Sequence, residues 1–347
     1  MGDNGYLHWM ATQTDTKWCN DSAIEGDIKH ALASGAIGCT SNPPLTYQAL
    51  TETPELFQDQ VDALPKALTG DDRVVELMGI VVRHIAKLVR PVFEETKGAH
   101  GYIRTQVQPN LSGDAEAMLA MGKTLASWGD NVMVKIPGTA AGISVLEELA
   151  ALGIPTTPTV CVSVAQIIAA AEANERGVKR AQAAGLQPAP STAAFVMGRL
   201  QDFLTVLNEE RQAGLSKYDL DCATLAATKR CSAIFEERGY RQQLMPAAFR
   251  SPHQVAGLSG ADVVMTIHPG YQAAVLEAEA AGDILREPAI NKPVDELAVS
   301  RVYRALPEFV QAYEPDGLRL QEFDAFGATM MTLEGFDVTG WQKLRTL

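Results

Sequence analysis

Short apolar runs alternate with longer helical segments along most of the sequence, and this alternation constrains the fold more than any other feature. The runs are too short for helices and are bounded by glycine, proline or polar residues, which is typical of strands covered on both faces in a parallel sheet. The predicted strands are Thr16–Asn20, Ala36–Thr40, Tyr102–Val107, Asn131–Pro137, Ile154–Val160, Thr192–Met197, Gln243–Ala247 and Val263–Ile267. Eight strands that are each followed by a helical segment favour a closed (β/α)8 barrel, the TIM barrel, over an open sheet.

The length of the chain, 347 residues, allows one large α/β domain or two ordinary ones. No internal repeat and no low-complexity tract divides the sequence. We therefore expect a single domain over residues 1–347, with the barrel at about residues 16–271 and a helical C-terminal extension at about residues 272–347. The extension is expected to pack across the outside of the barrel or over one of its mouths.

Charge and composition exclude several classes of protein. A formal net charge of -13 argues against general affinity for nucleic acid or anionic membranes. The sequence has neither a basic segment followed by an apolar run at its start nor 18 uninterrupted apolar residues, so we expect no signal peptide and no membrane span. The five cysteines form no C-x-x-C pair, which favours buried free thiols in a reducing cytoplasm.

The fourth predicted strand carries a single amine, Lys135, directly after the apolar run 132–134. A lysine is almost never fully buried without a partner. Apolar surroundings disfavour the ammonium ion, so the pKa of such a lysine falls and its amine becomes nucleophilic near neutral pH. This amine suits attack on a ketone to form a Schiff base. The alternative is a lysine at a strand end whose ammonium group reaches water.

In a (β/α)8 barrel the catalytic residues lie at the C-terminal ends of the strands. The polar residues predicted at these ends are Asp21, Thr40, Asn42, Gln106, Lys135, Thr159, Arg199 and Arg250. A lysine, a carboxylate and amides that bind hydroxyl groups are the components of a Schiff-base aldol reaction. That chemistry needs neither a metal nor another cofactor, and no H-x-x-x-H, H-E-x-x-H or carboxylate cluster indicates a metal site.

Four segments match a known family in chain order. They are GCTSNPPL at Gly38–Leu45, VMVKIPGTAAGISVLEELAALGIPTTPT at Val132–Thr159, GRL at Gly198–Leu200 and AAFRSPHQV at Ala247–Val255. These segments resemble the transaldolase family, which includes the related hexulose-phosphate aldolases. The K-I-P stretch with its G-I-x-x-L-x-x-L-x-x-x-G-I continuation is specific, and the resemblance extends from about residue 16 to residue 271.

The resemblance implies a role for each matched residue. Lys135 would form the Schiff base with the C2 carbonyl of a ketose, and Asp21 would remove the C4 hydroxyl proton so that the C3–C4 bond breaks. Placing Asp21 there requires a one-residue gap in the alignment. Without the gap Asn20 takes the position, but an amide cannot accept that proton. An alternative for Asp21, from the residues alone, is the N-cap of the following helix.

Four further residues complete the implied site. Asn42 and Thr40 would bind substrate hydroxyl groups, although asparagine before proline also suits a turn. Thr159 would position the water that leaves and returns during formation of the imine. The alternative is that Thr159 is an ordinary strand residue. Gln106 matches the glutamine of the aldolase branch, where transaldolases carry glutamate, and a glutamine can orient that water but cannot shuttle its proton. In the aldolase branch this glutamine is paired with a tyrosine on the sixth strand, where transaldolases carry phenylalanine. The matching residue here is Val196, so the chain fits neither branch.

Arg199 and Arg250 match the two basic positions with which the family binds phosphate, and two guanidinium groups suit a terminal anion. The serines that accompany them in the family are Ala194 and Ala248 here. This departure predicts an anion of altered size or hydrogen-bonding demand, such as a sulfonate or carboxylate, or a phosphate held by fewer bonds. The alternative is a pair of surface arginines with carboxylate partners.

Three functions follow as hypotheses. A transaldolase would pass a three-carbon dihydroxyacetone unit from Lys135 to an aldehyde acceptor, whereas an aldolase would release that unit as free ketone. The third hypothesis is a barrel that binds anionic sugars without catalysis. The expected partners are an anionic ketose and an aldehyde. Such barrels often self-associate, so a homo-oligomer is a further expectation, although no residue identifies its interface.

Overall fold

The computed structural model describes residues 5–347 and contains eight short strands, all of which pair in parallel. The strands are β1 (Lys17–Asn20), β2 (Gly38–Thr40), β3 (Tyr102–Gln106), β4 (Val132–Pro137), β5 (Thr156–Thr159), β6 (Thr192–Phe195), β7 (Gln243–Pro246) and β8 (Val264–Ile267). Each strand lies within its predicted range, so the prediction of eight strands is confirmed. Nearly every strand residue is buried, which explains their continuous apolar character.

Six of the strands form one curled parallel sheet, in the order β5-β4-β3-β2-β1-β8. The remaining two, β6 and β7, pair with each other. Isolated parallel bridges connect this pair to both edges of the larger sheet: residues 156 and 161 pair with residues 191 and 195, and residues 244 and 247 pair with residues 263 and 266. The structure is therefore a mixed α/β fold with its strands parallel and its helices between them.

Helices follow the strands and continue through the C-terminal part of the chain. They are α1 (Gly5–Gln13), α2 (Glu25–Ala33), α3 (Pro43–Glu52), α4 (Gln58–Asp62), α5 (Gly70–Glu95), α6 (Ala115–Ala126), α7 (Ala140–Ala151), α8 (Val164–Ala183), α9 (Met197–Arg211), α10 (Lys217–Arg238), α11 (Pro252–Gly257), α12 (Pro269–Ala281), α13 (Glu296–Ala305), α14 (Pro307–Tyr313), α15 (Gly327–Phe336) and α16 (Gln342–Leu344).

Polar side chains define where the helices that follow the strands begin. Thr139 accepts a hydrogen bond from the backbone N–H of Gly142 at the start of α7, and Ser163 accepts one from Gln166 at the start of α8. Asn42 caps α3 in the same way, directly before two prolines whose fixed backbone angle suits the first turn. These caps place the first residues of each helix next to the end of the preceding strand.

The C-terminal segment of residues 320–347 lies against the loops and helix starts that follow several strands. A 3-10 turn (Leu320–Glu322), α15, a π-helical turn (Asp337–Trp341) and α16 form this segment. Its contacts are Asp324 with the N–H of Ala140 at 2.7 Å, Thr329 with Gln166 at 3.2 Å, Asp337 with Asn110 at 3.1 Å, and Phe336 with the guanidinium group of Arg199 at 5.6 Å. It therefore covers the edge of the sheet that is formed by the C-terminal ends of the strands.

Gly340 sets how closely this segment approaches α3. A Cβ atom at position 340 would lie 2.3 Å from Cδ of Pro44. Only a residue without a side chain fits there.

Two other predictions can be compared with the fold. Within residues 5–347, no helix is long and apolar enough to cross a membrane. All five cysteines are buried free thiols, as expected: Cys19, Cys39, Cys161, Cys222 and Cys231.

Candidate active site

Lys135 lies near the C-terminal end of β4 and is buried, with 6% of its surface exposed. Its Nζ donates a hydrogen bond to the carbonyl oxygen of Ser41 at 2.9 Å. Burial lowers the pKa of Lys135 to about 8, while the negative charge of Asp21 opposes this effect and the positive charge of Arg104 adds to it. The alternative of a lysine that reaches bulk water is wrong. A significant fraction of this amine is neutral near pH 7 and can act as a nucleophile.

Asp21 follows directly after β1 and faces the same space as Lys135. Its Oδ1 accepts a hydrogen bond from the hydroxyl group of Thr40 at 2.6 Å, and that hydroxyl also lies 2.6 Å from the hydroxyl group of Thr266 on β8. Since Ser41 contacts the Lys135 amine, two consecutive residues at the end of β2 contact the carboxylate and the amine. A carboxylate and an amine are therefore held on either side of one short stretch of backbone.

Asn20, the residue of the gapless alignment, is turned away from this space. Its Nδ2 donates to the carbonyl oxygen of Ser22 at 3.1 Å, and its Oδ1 accepts from Gln272 at 2.8 Å. Neighbouring residues of a strand point to opposite faces, so only one of positions 20 and 21 can face the amine. The alternative of Asp21 as a helix cap is also wrong, because α2 begins at Glu25 with Ile24 at the N-cap.

Gln106 and Thr159 are buried at the ends of the strands on either side of β4. The Cα of Gln106 is the register partner of Lys135, and the Cα of Thr159 is the partner of Pro137. Gln106 is 1% exposed, yet its Oε1 has no hydrogen-bond partner among residues 5–347. A buried acceptor without a partner is costly unless a water or ligand satisfies it. This orphaned oxygen therefore indicates a position where a polar molecule binds.

Asn42 has two parts with different environments. Its Oδ1 accepts from the backbone N–H of Leu45 at 3.0 Å, so Asn42 caps helix α3, whereas the alternative drawn from the sequence was a turn. Its Nδ2 has no hydrogen-bond partner among the described residues and remains available to a substrate hydroxyl group. Capping of α3 and binding of a hydroxyl group are compatible, because the cap uses Oδ1 of the amide and the hydroxyl group would use Nδ2.

Arg199 and Arg250 are brought together and share the carboxylate of Asp202, so the alternative of arginines with a carboxylate partner is correct in this respect, although the sequence did not identify Asp202. Arg250 donates from Nε and Nη2 to both oxygens of Asp202 at 2.8 and 2.6 Å, and from Nη1 to the carbonyl oxygen of Ala248 at 2.8 Å. Arg199 lies 3.6 Å from the same carboxylate. Two guanidinium groups and one carboxylate leave a single net positive charge.

The environments of the two arginines differ. Burial lowers the pKa of Arg199. The negative charge of Asp202 opposes this decrease, and the positive charge of Arg250 adds to it. Burial alone would lower the pKa of Arg250, but its hydrogen bonds to Asp202 raise it. Arg250 therefore has most of its donors occupied, whereas Arg199 is held only by a long ion pair and by stacking on Phe336. Arg199 is the more available of the two for an anion.

The residues that depart from the family pattern line the same region with small apolar side chains. Ala194 is 3% exposed and Val196 is 5% exposed, and neither has a polar side-chain atom. Ala248 has a backbone φ of 60°, in the left-handed region that is unusual for alanine. Its carbonyl oxygen would lie 1.7 Å from a Cβ atom at Gly198, so α9 approaches this turn closely only because position 198 is glycine.

Sequence reasoning missed four residues of this region: Ser41, Arg104, Asp202 and Thr266. Asp202 lies three residues after Arg199 on α9, a spacing at which side chains meet, and this signal could have identified it. Arg104 is the one charged residue of the buried strand β3, which was a second available signal. Ser41 contributes only its carbonyl oxygen, so no side-chain pattern reports it. No group of three or more potential metal ligands occurs within residues 5–347.

Comparison with known proteins matches residues 18–325 to the family model described as Transaldolase/Fructose-6-phosphate aldolase. Transaldolase 1 of Streptomyces coelicolor is 28% identical over 345 residues, which cover 90% of each chain. The transaldolase of Neisseria gonorrhoeae is 27% identical over 319 residues, 83% of this chain and 91% of that protein. Transaldolase 1 of Streptomyces avermitilis is 36% identical over 206 residues, and that alignment spans 58% of this chain and about half, 53%, of the relative.

Proposed function

The chain belongs to the transaldolase/fructose-6-phosphate aldolase family, and on this basis we propose that it transfers a three-carbon dihydroxyacetone unit from an anionic ketose to an aldehyde through a Schiff base on Lys135. The observation that carries the proposal is the buried Lys135 amine, whose pKa is lowered to about 8, close to the Asp21 carboxylate. The hydroxyl group of Thr40 on β2 contacts the Asp21 carboxylate, and the hydroxyl group of Thr266 on β8 contacts that of Thr40. The proposed substrates are a small anionic sugar and an aldehyde, and the chemistry needs no cofactor.

The architecture that supports this site is, in our proposal, a single domain in which all eight strands close into one (β/α)8 barrel. The parallel bridges of the β6–β7 pair to β5 on one side and to β8 on the other support closure. Closure would place the C-terminal ends of all the strands around one mouth, which is where (β/α)8 barrels carry their active sites. The segment of residues 320–347 would then cover part of that mouth.

The first half of the reaction forms the Schiff base. The neutral amine of Lys135 attacks C2 of the ketose, a C–N bond forms, and the electron pair of the C=O bond moves to oxygen. The oxygen takes up two protons in total and leaves as water, which produces the protonated imine. Gln106 and Thr159 would hold this water, and the unpartnered Oε1 of Gln106 is the acceptor that it would satisfy.

The second half breaks and remakes a C–C bond. Asp21 removes the proton of the C4 hydroxyl group, the C3–C4 bonding pair moves onto C3, and the imine nitrogen accepts the displaced electrons to give an enamine. The first aldehyde leaves. The enamine attacks the acceptor aldehyde, Asp21 returns the proton to the new hydroxyl group, and water hydrolyses the imine. Thr40 orients the carboxylate that moves this proton, since its hydroxyl donates to Oδ1 of Asp21.

The anionic end of the sugar would bind near Arg199, with Arg250 and Asp202 beside it. The single net positive charge of this cluster suits a singly charged group such as a sulfonate or carboxylate. A phosphate held by fewer bonds is the alternative, because Ala194 and Ala248 supply no hydroxyl donors. A panel of phosphorylated, sulfonated and unsubstituted ketoses, scored by the rate of adduct formation on Lys135, separates these substrates.

A second candidate function, an aldolase, is favoured by Gln106. A neutral amide cannot shuttle protons for the catalytic water, which is the property that distinguishes the aldolase branch. In this case the enamine takes a proton from water and hydrolyses to free dihydroxyacetone. Turnover measured with and without an acceptor aldehyde distinguishes the two, because free dihydroxyacetone produced equally fast without acceptor excludes the transferase.

The proposed Schiff base is tested by borohydride reduction in the presence of a ketose. Hydride reduces the C=N bond to an amine and leaves the sugar covalently attached, so the Lys135 peptide gains the mass of the reduced ketose. The control is Lys135→Met, which should gain no mass. If the wild-type peptide stays unmodified with every ketose of the panel, the protein is a non-catalytic binding barrel and the proposal is wrong.

A further inference from the structure

Arg104 lies in the interior of the sheet, one layer of side chains beneath Lys135. On β3 it is two residues before Gln106, the register partner of Lys135, and its own register partner is Met133. Residues two apart on a strand point to the same face, so Arg104 and Gln106 share the face that carries the site. The side chain of Arg104 is 4% exposed.

The guanidinium group of Arg104 has no negatively charged partner among residues 5–347. Its Nε donates to the hydroxyl group of Thr192 on β6 at 3.2 Å, and its Nη1 contacts the sulfur of Cys19 on β1 at 3.4 Å. Burial raises the pKa of the Cys19 thiol, against the opposing charge of Arg104, so this partner is neutral. A buried charge without a counter-ion destabilises a fold, and an effect on a nearby functional group would explain why it is tolerated.

The surrounding strands leave room for this side chain. A Cβ atom at Gly38 on β2 would lie 3.5 Å from Nη1 of Arg104 and 2.7 Å from the carbonyl oxygen of Tyr102. The hydroxyl group of Thr192, which receives the hydrogen bond from Arg104, is 3.7 Å from the sulfur of Met133 and 3.9 Å from that of Met245. The guanidinium group thus lies in a layer of small and apolar side chains.

We propose that Arg104 is a positioning residue that acts through its charge: its guanidinium group, held beneath Lys135 without a counter-ion among residues 5–347, increases the fraction of the Lys135 amine in the neutral form that attacks a carbonyl group. Arg104 does not touch the substrate. The inference rests on the proposed function of Lys135 as a Schiff-base nucleophile. The inference adds a second cause for the lowered pKa of Lys135, the charge of Arg104, to the first cause, which is burial.

The other titratable groups near these two side chains are one carboxylate and several neutral residues. Within residues 5–347, Asp21 is the carboxylate whose charge acts on Lys135, and it favours the ammonium ion more strongly than Arg104 opposes it, so Arg104 offsets part of the effect of Asp21. Cys19 and Cys39 are buried thiols with raised pKa values. On the far side of Arg104, burial lowers the pKa of His100 and raises that of Tyr102, so both are neutral near pH 7.

Replacing Arg104 by glutamine tests the proposal, because the amide can still donate to Thr192 but carries no charge. The rate of borohydride trapping on the Lys135 peptide is measured from pH 6 to pH 10.5 with a ketose that traps in the wild type. Two residues of strand rise, roughly 7 Å, and one spacing between strands, about 4.8 Å, put the two Cα atoms roughly 8 Å apart, and at such a distance one positive charge should shift the midpoint by about one pH unit. We expect an upward shift in Arg104→Gln, with trapping about tenfold slower at pH 7 and equal to the wild type at high pH.

Two further variants separate charge from structure. Arg104→Lys keeps the charge and should keep the wild-type midpoint, and it provides this readout even if Arg104→Gln does not fold. Met245→Leu alters the same layer without changing charge and should also leave the midpoint unchanged. An upward shift in Met245→Leu or Arg104→Lys as large as that expected for Arg104→Gln would overturn the proposal. So would a loss of rate in Arg104→Gln by one constant factor at every pH.

The outcome also separates this inference from the proposed function. If the wild-type protein forms no adduct on Lys135 with any ketose, the Schiff-base function fails and the role of Arg104 fails with it. If the wild type forms the adduct and the midpoint of Arg104→Gln stays unchanged, only the electrostatic role of Arg104 is wrong.

Discussion

Replacement of Asp21 by asparagine should have two opposite effects on the same site. Asparagine keeps the oxygen that accepts from Thr40 but loses the negative charge that favours the ammonium form of Lys135. The pKa of Lys135 should therefore fall below its value of about 8, and the amine should be neutral at lower pH. At the same time, the base that removes the C4 hydroxyl proton is lost, so turnover should decrease.

The size of each effect can be estimated from the site. Thr40 contacts Asp21 and Ser41 contacts Lys135, and the Cα atoms of consecutive residues are ~3.8 Å apart, so the two charges lie on the order of 7 Å apart. At an effective dielectric constant of ~20 and with allowance for the partial exposure of Asp21, removal of its charge should lower the pKa of Lys135 by about one unit. Trapping at pH 7 should then become about fivefold faster. Loss of the general base should reduce turnover about 10²–10⁴-fold.

Borohydride trapping and steady-state turnover of one Asp21→Asn preparation measure both effects. Asn20→Ala is the matched control, because Asn20 points away from the amine, and it should leave the trapping midpoint in place. The reasoning is refuted if trapping by Asp21→Asn is slower at pH 7 than in the wild type, or if its turnover is unchanged. In the first case Asp21 does not act on the amine, and in the second it is not the base.

Three further predictions follow from individual contacts. Lys135→Met should abolish turnover while ketose binding, measured by calorimetry, is largely kept. Arg199→Ala should mainly raise KM for the anionic ketose, because it weakens the hold on the anion, and unchanged steady-state kinetics would contradict an anion site there. Gly340→Ala should lower the free energy of unfolding by about 1–3 kcal/mol in chemical denaturation, since the added Cβ atom would overlap Pro44. Gly335→Ala, where nothing lies within 4 Å of the added atom, is its control and should not destabilise the protein.

The strands and the nucleophile could be predicted from the sequence because both are local properties. A buried parallel strand has a continuous apolar run with polar or proline boundaries, and every observed strand, β4 included, lies within the limits that this pattern predicted. Lys135 was identifiable because a charged residue inside such a run is rare. The resemblance to the family added the chemistry that a lone amine could not specify.

The sequence favoured Asp21 over Asn20 through chemistry alone, because a carboxylate can accept the proton and an amide cannot. A shift of one residue turns a side chain from one face of a sheet to the other, so an alignment with an uncertain gap cannot decide which residue faces the site. The hydrogen bonds of Asn20 to Ser22 and Gln272 show that it is turned away. The fold thus favours Asp21 through packing of the two faces.

The charge balance of the site was also beyond the sequence. Arg199 and Arg250 were predicted as an anion-binding pair, but Asp202 and the carbonyl oxygens of Ala248 and Phe249 together occupy most of the donors of Arg250. How many donors remain free depends on side-chain geometry between helix α9, which carries Arg199 and Asp202, and the turn after β7, which carries Arg250. Residue types alone do not report it.

The sequence by itself determined eight parallel strands, a buried amine on the fourth and membership in one family, because periodicity, burial preference and an ordered motif are written along the chain. Only the tertiary structure decided that Asn20 is turned away from the site. It also decided that the guanidinium group of Arg104 lies beneath the amine without a counter-ion among residues 5–347. These facts join residues far apart along the chain, such as Arg104 and Thr192. Electrostatic effects depend on distance and burial in space, and neither is fixed until the strands have come together.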